Sequence, residues 1–309
     1  MFCASVVAQM KRYDTDFMLS RKRFVMTIPI EVERNQLYLP VTIGGRQYRF
    51  KLDTGASQGV IYDDVDMPGL QELGYIKSED ATGASRQVTT VELPPMTIDS
   101  LTISHFKVQR MHRNMVRQGD DGIIGFALFH YGLAARIDAR AGQMILTDRK
   151  NYFKEAAGEA LKYRLKWHVP YVKVSPFEGA EDEVLFDTGS PMLYAPNSER
   201  LEQMIAAVPD AEEQIEGVTY GRRVMGHFGP ENVSRITLLK LERLKWGAFQ
   251  FQDVRCATVQ GASHVGAPVL QYGALVINPF RRLLIFQPYD GATSCETKHF
   301  TRFSRLAPA

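Results

Sequence analysis

Two aspartates carry the chemistry this sequence is equipped to do. Phe50–Asp64 reads FKLDTGASQGVIYDD, and Val184–Pro196 reads VLFDTGSPMLYAP. Each stretch sets one acid, Asp53 or Asp187, at the end of an apolar run, followed by Thr-Gly and a small residue. A carboxyl in such a place is costly to ionise, because burial disfavours charge. Two of them brought to one site cannot both be charged; they hold one proton between them and titrate as a pair. One then serves as base toward a water and the other as acid toward a carbonyl oxygen. That division hydrolyses an amide without metal or covalent intermediate.

The neighbouring residues suit this purpose. Gly55 and Gly189 permit a tight turn that exposes the preceding acid. Thr54 and Thr188 carry hydroxyls able to bond across a shared axis. Ala56 and Ser190 are small enough for close approach, and here the two stretches differ. A Ser190 hydroxyl donated to Asp187 would favour the ionised carboxylate, so Asp187 is expected to be the charged partner. A given tripeptide is expected roughly 0.05 times in a chain of this length. Two DTG copies in matching surroundings therefore exceed what ordinary strand-to-turn chemistry supplies.

The elements that position the acids are repeated with them. LPVTI (Leu39–Ile43) answers VPYVKV (Val169–Val174), and KLDTGAS answers LFDTGSP. TIDSLTISHFKV (Thr97–Val108) answers KLERLKWGAFQF (Lys240–Phe251) without a gap. GFALFHYGLAARIDARAGQMIL (Gly125–Leu146) answers GAPVLQYGALVINPFRRLLIF (Gly266–Phe286) with one gap, so that Tyr131-Gly132 falls on Tyr272-Gly273 and Ile137-Asp138 on Ile277-Asn278. Four matches in one order, at a period near half the chain, describe two copies of one domain rather than a solenoid. The polar, Gly/Ala-rich stretch 150–162 separates them. The expected division is an N-terminal segment 1–23, a first unit 24–152 and a second unit 153–309.

Strand patterns dominate. VTIGGRQYRFKL alternates around Gly44-Gly45, a hairpin signal, and TIDSLTISHFKV alternates in the same way. Ser198–Val208, SERLEQMIAAV, reads as a helix with Ser198 at its N-cap and Leu201, Met204, Ile205 and Val208 on one face. The class is all-β with a few short helices.

Bulk composition bounds the rest. The chain has 309 residues, 45% apolar and 23% charged, with a formal net charge of +2. That balance gives no electrostatic case for nucleic acid as a partner. No apolar run of 18 residues suggests a membrane span. The start, MFCASVVAQ, is short and apolar: either the remnant of a secretory signal or a plain chain end. The expected compartment is secreted or periplasmic, with the cytoplasm left open. Of three cysteines, Cys256 and Cys295 have the option of a bridge, and two free thiols are the simpler expectation. No His/Cys spacing suits a metal, no Gly-rich phosphate loop occurs, and no cofactor is expected.

The two DTG motifs, each followed by an apolar-apolar-Gly type element (Ile123-Ile124-Gly125 and His264-Val265-Gly266), resemble the aspartic peptidases of the pepsin and retropepsin clan. DGIIGFALFHYGLAARIDARAGQMIL is similar in particular to bacterial retropepsin-like domains. The resemblance runs from about Phe24 to Phe286. It implies a bilobal, pepsin-like all-β fold of two homologous barrel-like lobes with a long cleft, Asp53 and Asp187 as catalytic pair, and Thr54, Gly55, Thr188 and Gly189 as their support, with Ser190 beside them. It implies a polypeptide substrate and a site complete within one chain, so that a monomer suffices.

The departures raise expectations of their own. His264 stands where an aliphatic residue is usual and is read as neutral and packed. The first-half flap candidate, SEDATGASRQ (Ser78–Gln87), offers Thr82 and Gly83 but lacks the Tyr of pepsin-like flaps; the second half offers Tyr220-Gly221. Closure from both halves, as in dimeric retropepsins, is one expectation. SRKR (Ser20–Arg23) is read as a charged linker or as a stretch of basic propeptide over the cleft, MHRNMVR (Met111–Arg117) as a solvated surface. Trp167 and Trp246 are read as core or lobe-edge residues. An endopeptidase is the leading reading; a non-catalytic peptide-binding or inhibitory protein, or a narrow processing peptidase, are the alternatives.

Overall fold

The computed structural model describes residues 16–113, 119–130 and 132–297. The N-terminal stretch with Cys3, Tyr131 and most of the basic run after Arg113 lie outside them. Among the described residues, strands between Met18 and Ile124 form an eleven-stranded sheet, and strands between Arg164 and Glu296 form a nine-stranded one. A six-stranded sheet draws on both halves. The fold is the bilobal, all-β arrangement.

Local sequence explains the strands that lead to the first acid. Gln36–Ile43 buries Leu37, Leu39, Val41 and Ile43 and turns its alternate residues away. Gly44 and Gly45 both take positive φ, +58° and +80°, as a two-residue turn matching strand twist requires. Arg46–Leu52 then returns antiparallel and buries Tyr48, Phe50 and Leu52 in the same core. Each such burial stabilises the sheet by about 1.5–3 kcal/mol. Because side chains alternate along a strand, Lys51 and Asp53 are left on the face opposite that core.

The second acid is approached in the same way. Ala180–Asp187 buries Val184 and Phe186. The Phe186 ring meets Trp246 edge-on at 6.0 Å, and Trp246 packs in turn on Phe286 at 6.2 Å. Trp246 is thus core. Trp167 is not: it is 87% exposed at the tip of the turn between Arg164–Lys166 and Val169–Phe177. Positive φ at Trp167 and His168 sets that turn and points the indole outward.

The six-stranded sheet carries the symmetry. Its order runs Glu159–Lys162, Leu283–Pro288, Gly273–Asn278, Ala134–Asp138, Gln143–Thr147, Val25–Pro29, three strands from each half. Where the halves meet, Ala135 pairs with Ile277, Arg136 with Val276 and Ile137 with Leu275. The sequence match Ile137 to Ile277 maps this register onto itself, so a twofold axis passes through Arg136 and Val276.

Smaller expectations resolve against this frame. The helix spans Ser198–Ala207, but its cap is Asn197, whose side chain accepts the Arg200 N–H at 3.0 Å. An amide oxygen one residue earlier reaches the same orphan N–H group, which leaves Ser198 as the first helical residue. Ser20–Arg23 lies along the edge of the first lobe, with Arg21 donating to Ser100 Oγ at 2.8 Å and the Arg23 N–H to Asp148 at 2.7 Å. Cys256 and Cys295 are free thiols, the first buried. Among the described residues no helix is long and apolar enough to cross a membrane.

Candidate active site

The two DTG turns meet at the interface of the lobes. The Thr54 N–H donates to Thr188 Oγ1 and the Thr188 N–H to Thr54 Oγ1, both at 3.0 Å. Each hydroxyl passes its own proton onward: Thr54 Oγ1 to the Phe186 carbonyl and Thr188 Oγ1 to the Leu52 carbonyl, both at 2.7 Å. Both threonines are fully buried. Every polar atom of this cross-link therefore has a partner, the condition under which a buried polar network stabilises rather than costs.

This clasp sets the acids side by side. A Cβ built on Gly55 would stand 2.5 Å from the Asp187 carboxyl carbon, and one built on Gly189 would run into the Asp53 carboxyl. Glycine is thus required by what lies across the axis as well as by the turn itself. The Gly55 and Ala56 N–H groups donate to Asp53 Oδ1 at 3.0 and 3.2 Å, and the Gly189 N–H donates to Asp187 Oδ1 at 2.8 Å. Each carboxyl thus lies against the glycine of the opposite DTG turn. Burial and the Asp53 charge beside it hold the Asp187 carboxyl far above the usual carboxylate range, while Lys51 and the Gly189 N–H pull the other way.

The apolar-apolar-Gly elements brace the turns from behind. Gly122–Ile124 lies parallel to the strand before Asp53, and His264–Gly266 parallel to the strand before Asp187. A Cβ on Gly125 would approach the Ala56 carbonyl at 2.6 Å, and one on Gly266 the Ser190 carbonyl at 2.5 Å. His264 is buried, its Nδ1 3.1 Å from the Ala262 carbonyl, and burial pushes the imidazole down toward its neutral form.

One expectation changes. The Ser190 hydroxyl accepts the Met192 N–H at 3.2 Å, an ST-type turn within its own loop, so the assignment of the charge to Asp187 loses its donor. A cation stands on the other side instead. Lys51 Nζ lies 3.7 Å from Asp53 Oδ2 and donates to the Gly189 carbonyl at 3.1 Å. Its side chain is 12% exposed. Lys51 belongs to no motif of the sequence, although its match in the repeat is Leu185 and strand alternation already puts it beside Asp53.

Hairpins from both lobes meet at their tips. In the first, Gln71–Glu79 pairs with Ser85–Glu92, and the turn is set by Asp80, whose Oδ1 accepts from the Thr82 N–H (2.9 Å) and hydroxyl (2.6 Å). Gly83 occupies the positive-φ position of that turn. In the second, Ile215–Gly221 pairs with Ser234–Trp246, and a small hairpin of Met225–Gly226 and Gly229–Pro230 forms the tip. The tips touch: the Phe228 N–H donates to Asp80 Oδ2 at 2.7 Å, and Arg86 donates to the Phe228 carbonyl at 3.3 Å. The Phe228 ring packs on the first-lobe cluster of Val60, Tyr62, Val88, Met111 and Ile123. Tyr220 is 73% exposed and Gly221 ends its strand; the contact between the tips is made by Asp80, within the expected flap stretch Ser78–Gln87, and by Phe228, which the sequence did not single out.

Comparison with known proteins agrees with the geometry. Residues 39–128 match the family model described as aspartyl protease. The fold is similar to that of an aspartic proteinase from Irpex lacteus in its crystal structure, with a TM-score of 0.53 and 13% identity, covering 86% of this chain and 97% of that one. At that identity the likeness speaks for fold alone. No curated protein matches the sequence. The chain is thus similar in sequence to the aspartyl protease family over its first lobe, and in fold to an aspartic proteinase across both lobes.

Proposed function

We propose that the chain is an aspartic endopeptidase in which Asp53 and Asp187 activate a water against a peptide bond. The observation that carries this reading is the pair of carboxyls, each set against the glycine of the other's turn and held by the threonine clasp between two lobes of one chain. Asp187 keeps the proton and Asp53 carries the charge. A water held by both carboxyls gives a proton to Asp53 as its oxygen attacks the carbonyl carbon. Asp187 gives its proton to the carbonyl oxygen, and a neutral gem-diol results. Collapse reverses the roles: Asp53 protonates the leaving nitrogen, and Asp187 takes a proton from a gem-diol hydroxyl. No metal or cofactor enters.

The substrate class is extended polypeptide. A strand lying between the acids and the two hairpins gains backbone hydrogen bonds from hairpin edges. One chain supplies both acids, so a monomer is sufficient. The contact of Asp80 and Arg86 with Phe228 favours a narrow processing peptidase within this class, because a substrate must push the hairpin tips apart before it reaches the acids.

Cleavage of a mixed peptide library, with and without pepstatin from acid to neutral pH, tests the reading. Wild type should cut internal bonds and be blocked by pepstatin, and Asp53→Asn and Asp187→Asn should be inactive. Equal behaviour of all three proteins would leave a peptide-binding protein on the same fold.

A further inference from the structure

We propose that Lys51 is a positioning residue that fixes the negative charge of the carboxyl pair on Asp53. The inference rests on the reading of the two acids as a catalytic dyad. A pair of acids related by a twofold axis has no reason to share its proton unequally. Most of this site obeys the axis: the threonine bonds are reciprocal at 3.0 Å, and each glycine faces the opposite carboxyl. Lys51 breaks the symmetry with a full charge. Its counterpart is Leu185, two residues before Asp187 on the matching strand, and an aliphatic chain offers Asp187 nothing equivalent.

The geometry favours one acid. Lys51 Nζ is 3.7 Å from Asp53 Oδ2, and the amine is anchored by donating to the Gly189 carbonyl at 3.1 Å. That second bond crosses the lobes, so the cation is fixed relative to both turns. Both side chains are nearly buried, at 12% and 11% exposure, where screening by salt is weak. An opposite charge this close favours the ionised form of its neighbour.

The other charges around Lys51 do not compete for it. On its own strand, Arg49 is engaged by Glu31 and Glu33 at 2.7 and 2.9 Å. From the antiparallel neighbour, the residue opposite Lys51 is Tyr38, whose phenol is pushed up by burial and stays neutral. From the parallel neighbour it is Ile123. Across the lobes stand Asp187 and, behind it, Tyr171, which is also pushed up by burial. Lys51 also acts on Asp187, but Asp53 is the carboxylate within ion-pair distance of its Nζ. The consequence is a division of labour: Asp53 is the base from the outset, and Asp187 the acid.

A titration independent of turnover tests this. In protein labelled with 13C at the aspartate carboxyls, Asp187→Asn leaves Asp53 as the single dyad acid, assigned by its loss in Asp53→Asn. Its midpoint is followed with Lys51 intact and with K51M, K51Q and K51R added. Loss of the cation should raise the midpoint by about one pH unit in K51M and K51Q, and K51R should restore it. In the otherwise wild-type chain, the acid limb of kcat/KM should move upward by a similar interval in K51M and return in K51R. An Asp53 midpoint equal in all four proteins, or K51R behaving as K51M, overturns the proposal. A midpoint that moves as described in a protein that cleaves no peptide would sink the peptidase reading and leave the role of Lys51 standing.

Discussion

Thr54 and Thr188 each donate a backbone N–H to the other's hydroxyl at 3.0 Å, and each returns its hydroxyl proton to a carbonyl of the opposite lobe at 2.7 Å. Four hydrogen bonds thus span the lobe interface, and both threonines are shut off from water. Removing one hydroxyl strands an N–H and a carbonyl, both on the opposite lobe, and a buried unsatisfied group costs about 1–3 kcal/mol. Thr54→Val should therefore lower stability by about 2–4 kcal/mol in urea unfolding, with Thr188→Val alike within about 1 kcal/mol. Thr54→Ser keeps every bond of the clasp and should cost under about 1 kcal/mol.

Gly55→Ala and Gly189→Ala place a methyl group in the opposite carboxyl. The acids must move away from each other, and shared-proton chemistry depends on their contact. Each variant is expected to lose at least about 100-fold in kcat/KM, since displacement by about 1 Å is enough for such a loss. Circular dichroism and urea unfolding should show both still folded.

The Asp187 proton has a consequence for stability. Folded, burial and the Asp53 charge keep this carboxyl protonated well above the ordinary carboxylate range. In the unfolded chain it ionises near the ordinary value. Between the unfolded midpoint and the raised folded one, the folded state binds more protons at this carboxyl, so its contribution to stability is fully present below that interval and is lost as pH rises through it. Asp187→Asn removes this contribution. Urea unfolding at about pH 5 and about pH 7.5 should show a smaller decline for the variant than for wild type; an equal decline would mean the proton is not held there.

Ser190→Ala should leave both limbs of the pH profile where they are. Its hydroxyl accepts from Met192 within the loop and supplies no hydrogen bond that favours the Asp187 carboxylate. A move of the acid limb by about half a pH unit or more would restore Ser190 as the tuning residue.

The contact of the two hairpin tips should be visible in hydrogen exchange. Phe228→Ala removes the ring from the cluster around Val60 and Ile123, and Asp80→Ala removes the acceptor of the Phe228 N–H. Exchange at residues 80–84 and 225–230 should quicken about tenfold in either, as loss of about 1.4 kcal/mol from local closing implies, while the lobe cores stay protected.

Much of this was legible in the residues. The acids, threonines and glycines announce themselves because a strand-to-turn motif is local, and its duplication marks the second partner. The hairpin at Gly44-Gly45 follows from the same kind of local pattern, whereas the pairing of Ala135 with Ile277 was not read from the repeat. Lys51 was legible in principle: the two copies differ there by a full charge, and residues two apart on a strand share a face. Matching residues reveal the repeat, whereas Lys51 stands out only as a mismatch within it. The Asp80–Phe228 contact had no such signal. Nothing in either loop encodes a partner 148 residues away, and the Tyr-Gly pair that looked like a tip belongs to the shaft of its hairpin. Ser198 and Trp167 show the limits of local rules, since a competing Asn one residue earlier and an I′-like turn decided each outcome.

The sheet shared by the halves has an implication for ancestry. Ala134–Asp138 meets Gly273–Asn278 in a register that maps onto itself. Transposed to two identical copies of the first half, the same register would pair Ala135 with Ile137 and Arg136 with Arg136. Such a fragment would therefore present a self-complementary edge and could meet a sibling there, bringing two copies of Asp53 together. With both halves in one covalent chain the two copies are free to differ, and a lysine on one side with a leucine on the other is a difference no strict homodimer could keep.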